Sequence, residues 1–263
     1  MAEPARNTRN SRSDTSQKRR PVKEPGITIL RWVEGPNGDM EHVELPMTPE
    51  LFLNPQVGDK MTQGMRHVNT VLQIVDLLQR YFASAPDVLV LGDAKHRFGP
   101  GFAEPGPDVS VARGIQRKEE DRESFNALKE GVVPCFILEI VSPLDSRIRQ
   151  TDLVAKVDLY ESVGISEYLI VDSTLRDRRF RLLGYRLDGF GRYRPIEPDA
   201  EGRFFSESLG LWFQISEDRE SVLIFDPHGR RLLTSSEEQQ GREAAEAEVA
   251  RLKAEIERLR GGA

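Results

Sequence analysis

The chain lacks what several classes of protein require. It holds one cysteine, Cys135, among 263 residues, so no disulfide can form within it and the stapled scaffolds of small secreted domains are excluded. Set between Pro134 and Phe136, Cys135 reads as a small core residue. Long hydrophobic runs are missing too. Val88 to Leu91 and Phe136 to Leu138 are a few residues each, far below the ~18 that a membrane-spanning helix needs. No apolar stretch of the secretory type follows Met1, so the expectation is a cytoplasmic protein without a membrane partner. Histidine is scarce, and His42, His67 and His96 are scattered, which excludes the His/Cys cluster of a structural zinc site. Positive charge is in deficit: 37 Lys and Arg face 43 Asp and Glu, a net charge of −6. Any polyanion must therefore be gripped locally, because Lys and Arg supply most of the affinity for phosphates. The local basic stretches, Lys18-Arg19-Arg20 and the group Arg176, Arg178, Arg179 and Arg181, read first as solvated faces. No Gly-x-Ser-x-Gly elbow appears, and Gly99-Pro-Gly101 and Gly189-Phe-Gly191 lack the strand-to-helix setting of a phosphate loop.

What is present has an order. Residues 1–25 are polar and basic with almost no apolar side chains, the composition of a disordered arm. Residues 26–232 read as one domain. Ile27 to Val33 and His42 to Leu45, separated by Gly35-Pro-Asn-Gly38, predict a hairpin. Val68, Val71, Leu72, Val75, Leu78 and Phe82 recur at threes and fours, predicting an amphipathic helix over 65–82 that lies on a sheet. Val88 to Leu91 and Asp108 to Ala112 read as strands, and the charged stretch from Arg113 to Glu130 as a solvated insertion. Val132 to Val141 is the most apolar run and predicts a central strand. A helical stripe of Leu153, Val157, Tyr160 and Val163 stops at Gly164, and Glu167 to Asp172 is a further strand, so the connection should be a crossover. More strands should follow over 178–225, with Phe204, Phe205, Trp212 and Phe213 as core rather than a base-stacking platform. The expected fold is α/β, a mixed sheet flanked by helices. Residues 233–263 differ: Ala245, Val249, Leu252, Ile256 and Leu259 make a short heptad seam in a charged helix, which should pair, dock or fray. A homodimer through this helix or through the domain is one expectation.

Two carboxylates stand where the pattern makes a charge expensive. Glu139 interrupts Phe136-Ile-Leu-Glu-Ile-Val141, where an isolated buried carboxylate must be paired, protonated or bound to a cation. Asp108 opens the strand after Pro107. Asp152, Lys156 and Tyr160 are spaced by four and share one helix face, with Lys156 at its middle. A helix packed back over the sheet would bring Lys156 close to a metal held by Asp108 and Glu139. Its loss is then expected to abolish metal-dependent chemistry and spare the fold.

Pro107-Asp108-Val109, Glu139-Ile-Val-Ser142-Pro143, Asp152 with Lys156 and Tyr160, and Gly164-Ile-Ser-Glu167-Tyr168-Leu-Ile-Val-Asp172 together resemble the Uma-two family, described as "putative restriction endonucleases", within the PD-(D/E)XK nuclease superfamily. Gln63-Gly64 followed by His67 resembles the family's N-terminal signature, and the likeness runs from about Leu45 to Leu223. The resemblance implies a restriction-endonuclease-like fold and hydrolysis of DNA phosphodiester bonds. It implies Asp108 and Glu139 as the metal-binding pair, with the strand carbonyl of Ile140, and Lys156 as the superfamily lysine. Val141 occupies the usual lysine position two residues after Glu139, so that role passes to the helix; Leu144 departs from the small residue expected after Ser142-Pro143. Oxygen donors of this kind suit Mg²⁺ or Mn²⁺. His67 is expected at a helix end or pocket edge rather than as a catalytic base. The alternative is a catalytically weak or inactive nuclease-fold module that binds protein or nucleic acid.

Overall fold

A computed structural model describes residues 28–36, 39–57, 59–61, 65–141, 151–173 and 179–261. The basic arm, Gln63-Gly64, Ser142-Pro143-Leu144, Arg176 and Arg178 lie outside the described residues, as does the side chain of Asp152.

The chain opens with the expected hairpin, β1 (Thr28–Glu34) and β2 (Met40–Pro46), paired antiparallel with Trp32 opposite His42. A short helix α1 (Pro49–Leu53) follows, its first turn capped by the Thr48 side chain and started by proline. After β3 (Lys60–Met61), which pairs with β1, comes α2 (Met65–Tyr81). Its period-3.6 stripe buries Val71, Ile74, Leu77 and Leu78, as an amphipathic helix against a sheet must.

Next are β4 (Val88–Gly92), β5 (His96–Arg97), β6 (Val109–Arg113), β7 (Phe125–Asn126), α3 (Ala127–Glu130) and β8 (Phe136–Val141). One π-helical turn, Thr151–Ala155, runs into α4 (Lys156–Ser162) and then β9 (Glu167–Asp172). Gly164, at φ +82°, takes the left-handed conformation that ends this helical segment, as its place in the sequence predicts. The chain finishes with β10 (Arg181–Leu187), β11 (Tyr193–Pro195), β12 (Phe204–Ser206), β13 (Leu211–Ile215), β14 (Val222–Phe225) and the helix α5 (Ser235–Gly261).

Among the described residues, six strands form a mixed sheet in the order β11-β10-β9-β8-β6-β4. Only β8 and β9 run parallel, joined by the α4 crossover; the other neighbours are antiparallel. One face carries Val109, Val111, Phe136, Leu138 and Ile140 against α2 and the β12-β13-β14 sheet. The other carries Ile137, Val141, Tyr168 and Ile170 against Tyr160 and Ile165. With both faces covered, all six residues of β8 are buried, which is why the strand reads as a continuous apolar run.

The insertion is less solvated than its charge suggests. Ile115 and Phe125 are buried, Arg122 forms a nearly buried ion pair with Glu130 at 2.9 Å, and Lys118 donates to the carbonyls of Phe82 and Ala85. Two apolar anchors and satisfied charges tie the segment down. Phe204 and Phe213 are core, and Phe213 stacks on Phe136 with centroids 5.3 Å apart. Cys135 is a half-buried free thiol that burial pushes up to about 11, in keeping with a packing role.

Candidate active site

The register of β6 and β8 decides where the two acids meet. Val109 pairs with Leu138 in the antiparallel ladder, so Asp108 falls beside Glu139 one step further along. The Asp108 N–H points at Glu139 Oε2, 3.5 Å away, a marginal hydrogen bond. Asp108 Oδ2 accepts the Ile140 N–H at 2.6 Å, and Oδ1 meets His67 Nε2 at 3.0 Å. Glu139 Oε1 accepts from the Lys156 ammonium at 2.8 Å and from the Tyr160 hydroxyl at 2.9 Å. The spacing by four that places Lys156 and Tyr160 on one face thus brings both to a single carboxylate oxygen. Lys156 is the first residue of α4, directly after the π turn, rather than the middle of a regular helix.

Burial makes these contacts expensive to lose. Asp108, Glu139 and Lys156 are 6%, 3% and 1% exposed, and Tyr160 is fully buried. On its other side the Lys156 ammonium lies 4.1 Å from the centroid of the Phe52 ring, supplied by α1. The lysine is held between a carboxylate and an aromatic face and has little freedom to swing away.

Of the cluster, Asp108 lines a cleft of about 370 Å³, together with Phe52, Val68, Leu72, Asp93 and Gly106. Asp93 follows β4 with φ +48°, in a left-handed conformation that aspartate tolerates better than most residues, and its N–H donates to the Asp108 carbonyl. Its surface is open to water. Even so, the protein packed around its carboxyl, and next the charge of Asp108, raise it above the usual carboxylate range, while His67 and Lys156 oppose that shift.

The structure therefore brings together Asp108, Glu139, Lys156 and Tyr160, with His67, in the first turn of α2, against Asp108. Sequence reasoning missed Asp93 and Phe52. A lone Asp after Gly92 looks like an ordinary turn, and no local pattern foretells a ring from α1 beneath a lysine of α4.

Among the described residues, no group of three or more His, Cys, Asp and Glu side chains gathers to hold a metal ion. The oxygen donors are two carboxylates and one strand carbonyl. The Val141 carbonyl faces β9, where it accepts from Ser173. Because successive residues of a strand alternate edges, the Ile140 carbonyl leaves toward β6, the edge on which its N–H meets Asp108. With both acids ionised, Asp108, Glu139 and Lys156 sum to one negative charge. That set fits Mg²⁺ or Mn²⁺, which bind through one or two carboxylates and keep their waters.

Residues 50–218 match the family described as "Uma2: Putative restriction endonuclease", more than half of the chain and the whole of this cluster. The chain belongs to that family. One solved structure that it matches is described as a "putative nuclease belonging to DUF820" from Anabaena variabilis ATCC 29413. Identity is 22%, the match covers 54% of this chain and 72% of that one, and the TM-score is 0.40, too low to bear on the fold or the site. No curated protein matches the chain. Membership places it among restriction-endonuclease-like proteins. No helix among the described residues is long and apolar enough to cross a membrane.

Proposed function

We propose that this family member is a divalent-metal-dependent endonuclease that hydrolyses DNA phosphodiester bonds at the Asp108, Glu139 and Lys156 cluster. The observation that carries the reading is the buried pair of Glu139 and Lys156 set one strand away from a second buried carboxylate, Asp108, which lines a cleft. DNA as the substrate comes from the family description. The Asp108 and Glu139 carboxylates and the Ile140 carbonyl would hold Mg²⁺ or Mn²⁺. Such an ion supplies Lewis acidity toward a phosphate oxygen and eases deprotonation of water.

In the reaction a water oxygen bonds to phosphorus, and the bond to one sugar oxygen breaks, that oxygen leaving with a proton. Lys156, pinned by Glu139 and Phe52, offers a fixed positive charge to the phosphate as negative charge builds on it, and it need not reorganise to do so. Tyr160 orients Glu139, and His67 orients Asp108, as partners of this kind do behind metal ligands. A cytoplasmic location suits a nuclease whose single cysteine forms no cross-link.

A second reading has its own observation. The carboxylate oxygens of Glu139 and Asp108 already meet Lys156, Tyr160, the Ile140 N–H and His67, so the cluster can stand as a structural unit. Cations near the cleft are also engaged, Arg31 with Asp59 at 2.6 Å and Lys95 with Glu104 at 2.9 Å. On this reading the chain is a weak or inactive nuclease-fold module that binds partners.

Plasmid, linear and single-stranded DNA incubated with Mg²⁺ or Mn²⁺ separate the two. The endonuclease reading expects cleavage that requires the ion and falls by roughly a hundredfold or more in Glu139→Ala. Intact DNA in every arm, with Mn²⁺ binding calorimetrically silent, rejects it in favour of the module.

A further inference from the structure

From Glu238 to Arg260 every residue of α5 is exposed. Among the described residues the helix is anchored only at its start. Thr234 and Glu237 exchange capping hydrogen bonds, Ser235 Oγ donates to Asp76 at 2.9 Å, and Glu238 pairs with Arg80. Beyond that turn, Val249, Leu252, Ile256 and Leu259 are 51%, 50%, 48% and 64% exposed. A helix of 27 residues extends about 40 Å, and this one holds its apolar stripe in water.

The stripe has a specific grammar. With Val249 and Ile256 at heptad position a, Ala245, Leu252 and Leu259 fall at d. β-branched residues at a with leucine at d favour two parallel strands. The flanks agree. Position g holds Glu248 and Glu255, and position e holds Lys253 and Arg260, while the earlier e residue, Glu246, falls opposite the uncharged Gly241. In a parallel pair each g residue faces the e residue five positions later on the other helix, which matches Glu248 with the second copy's Lys253 position and Glu255 with its Arg260 position. In an antiparallel pair g faces g and e faces e, placing glutamate against glutamate and cation against cation. Within one helix these glutamates contact only the exposed Arg251 and Arg258, three residues on, pairs too weak to hold them.

We infer that α5 is a parallel homodimerisation helix whose occupant is the α5 of a second copy of this chain. The parallel sense sets both domains at one end of the rod. This inference is independent of the proposed chemistry, since α5 lies outside the family match.

Sedimentation equilibrium of the full chain tests it at micromolar to submillimolar concentrations. The parent chain is expected to double in mass with concentration. Glu248→Lys with Glu255→Lys, and separately Lys253→Glu with Arg260→Glu, should each remain at single mass, and an equimolar mixture of the two should recover the doubled mass. Leu259→Cys, oxidised mildly with the parent chain as control for Cys135, should cross-link to a covalent dimer, because the same d position meets itself only in a parallel pair. A parent chain that stays at single mass throughout overturns the inference. So does a dimer that survives both charge-reversed variants, since its interface lies elsewhere. A dimer in which Leu259→Cys fails to cross-link overturns the parallel arrangement.

Discussion

Two segments of this molecule break the rule of apolar inside and charged outside, in opposite directions. Strand β8 buries a glutamate in the middle of six residues that are all inside. Helix α5 leaves valine, isoleucine and leucine outside among charges. In the strand, the fold answers the misplaced charge within the chain, by delivering Lys156 and Tyr160 from the next helix to one oxygen of Glu139. In α5 nothing among the described residues answers the misplaced apolar stripe, and a second copy is the economical solution. A misplaced charge in a strand therefore predicts an internal partner, and a misplaced stripe on a projecting helix an external one. Both predictions can be broken by substitution.

The largest effect should come from opening the strand cluster. The lysine position first looks like one whose loss spares the fold, but its burial argues otherwise, because Lys156→Ala strips Glu139 of its counter-ion without giving it water. Removing one partner of a buried pair costs about 3–5 kcal/mol. The double variant Glu139→Leu with Lys156→Met should cost much less than either single change, because a buried pair exchanged for apolar side chains is often near neutral. Urea unfolding of the two single variants and the double variant checks this. A Lys156→Ala cost below about 1 kcal/mol, the range of exposed pairs, would show that water reaches Glu139 and that the contrast with α5 is false. Loss of cleavage in Lys156→Ala is interpretable only at temperatures where that variant remains folded.

Second is a buried group solved without a charge at all. His96 is fully buried, its Nδ1 2.7 Å from the Ala94 carbonyl and its Nε2 2.9 Å from the Ser110 hydroxyl. The carbonyl can only accept, so Nδ1 carries the proton and Nε2 accepts from Ser110. Burial pushes the ring down to about 4, against the smaller opposing pull of the Ala94 carbonyl. Unfolded histidine takes up a proton near 6.5, and the folded one only near 4. Between those values the unfolded state binds more protons, so stability falls as pH falls through the window, by about 3 kcal/mol in all. Denaturation measured at pH 7 and pH 4.5 should show that loss. In His96→Gln the slope between pH 6.5 and 5 should flatten; an unchanged slope would assign it to other groups.

How far the sequence foretold each region follows from which forces are local. Glu139 was legible because a carboxylate inside an apolar run is costly wherever the strand ends up, and Lys156 with Tyr160 because helical spacing fixes a shared face. The seam of α5 was legible for the same reason, period and composition being local. Asp108 was only half legible. Its partner is set by the register of β6 on β8, a pairing across a sequence separation of 31 that no local pattern encodes. The charge of that insertion hid the anchoring of Ile115 and Phe125, and the two-residue strands β5 and β7, which pair parallel, are too short to leave a period. Phe52 under Lys156 and Asp93 beside Asp108 are products of tertiary packing alone. The π turn before α4 is likewise invisible, since its residues differ little from those of a regular helix.

The smallest expected effect sharpens the comparison most. Leu252→Ser with Ile256→Ser removes two large apolar side chains, yet in dilute solution the unfolding free energy of the domain should change by no more than about 0.5 kcal/mol, as for other exposed positions. The dimer should contribute only through mass action, so the melting temperature of the parent chain should rise with protein concentration while that of the double variant stays flat. Thermal melts at two concentrations well apart measure both. A loss above about 1 kcal/mol in dilute solution would mean that the stripe packs on its own domain. In that case α5 would belong with β8, its apolar face answered from within the chain.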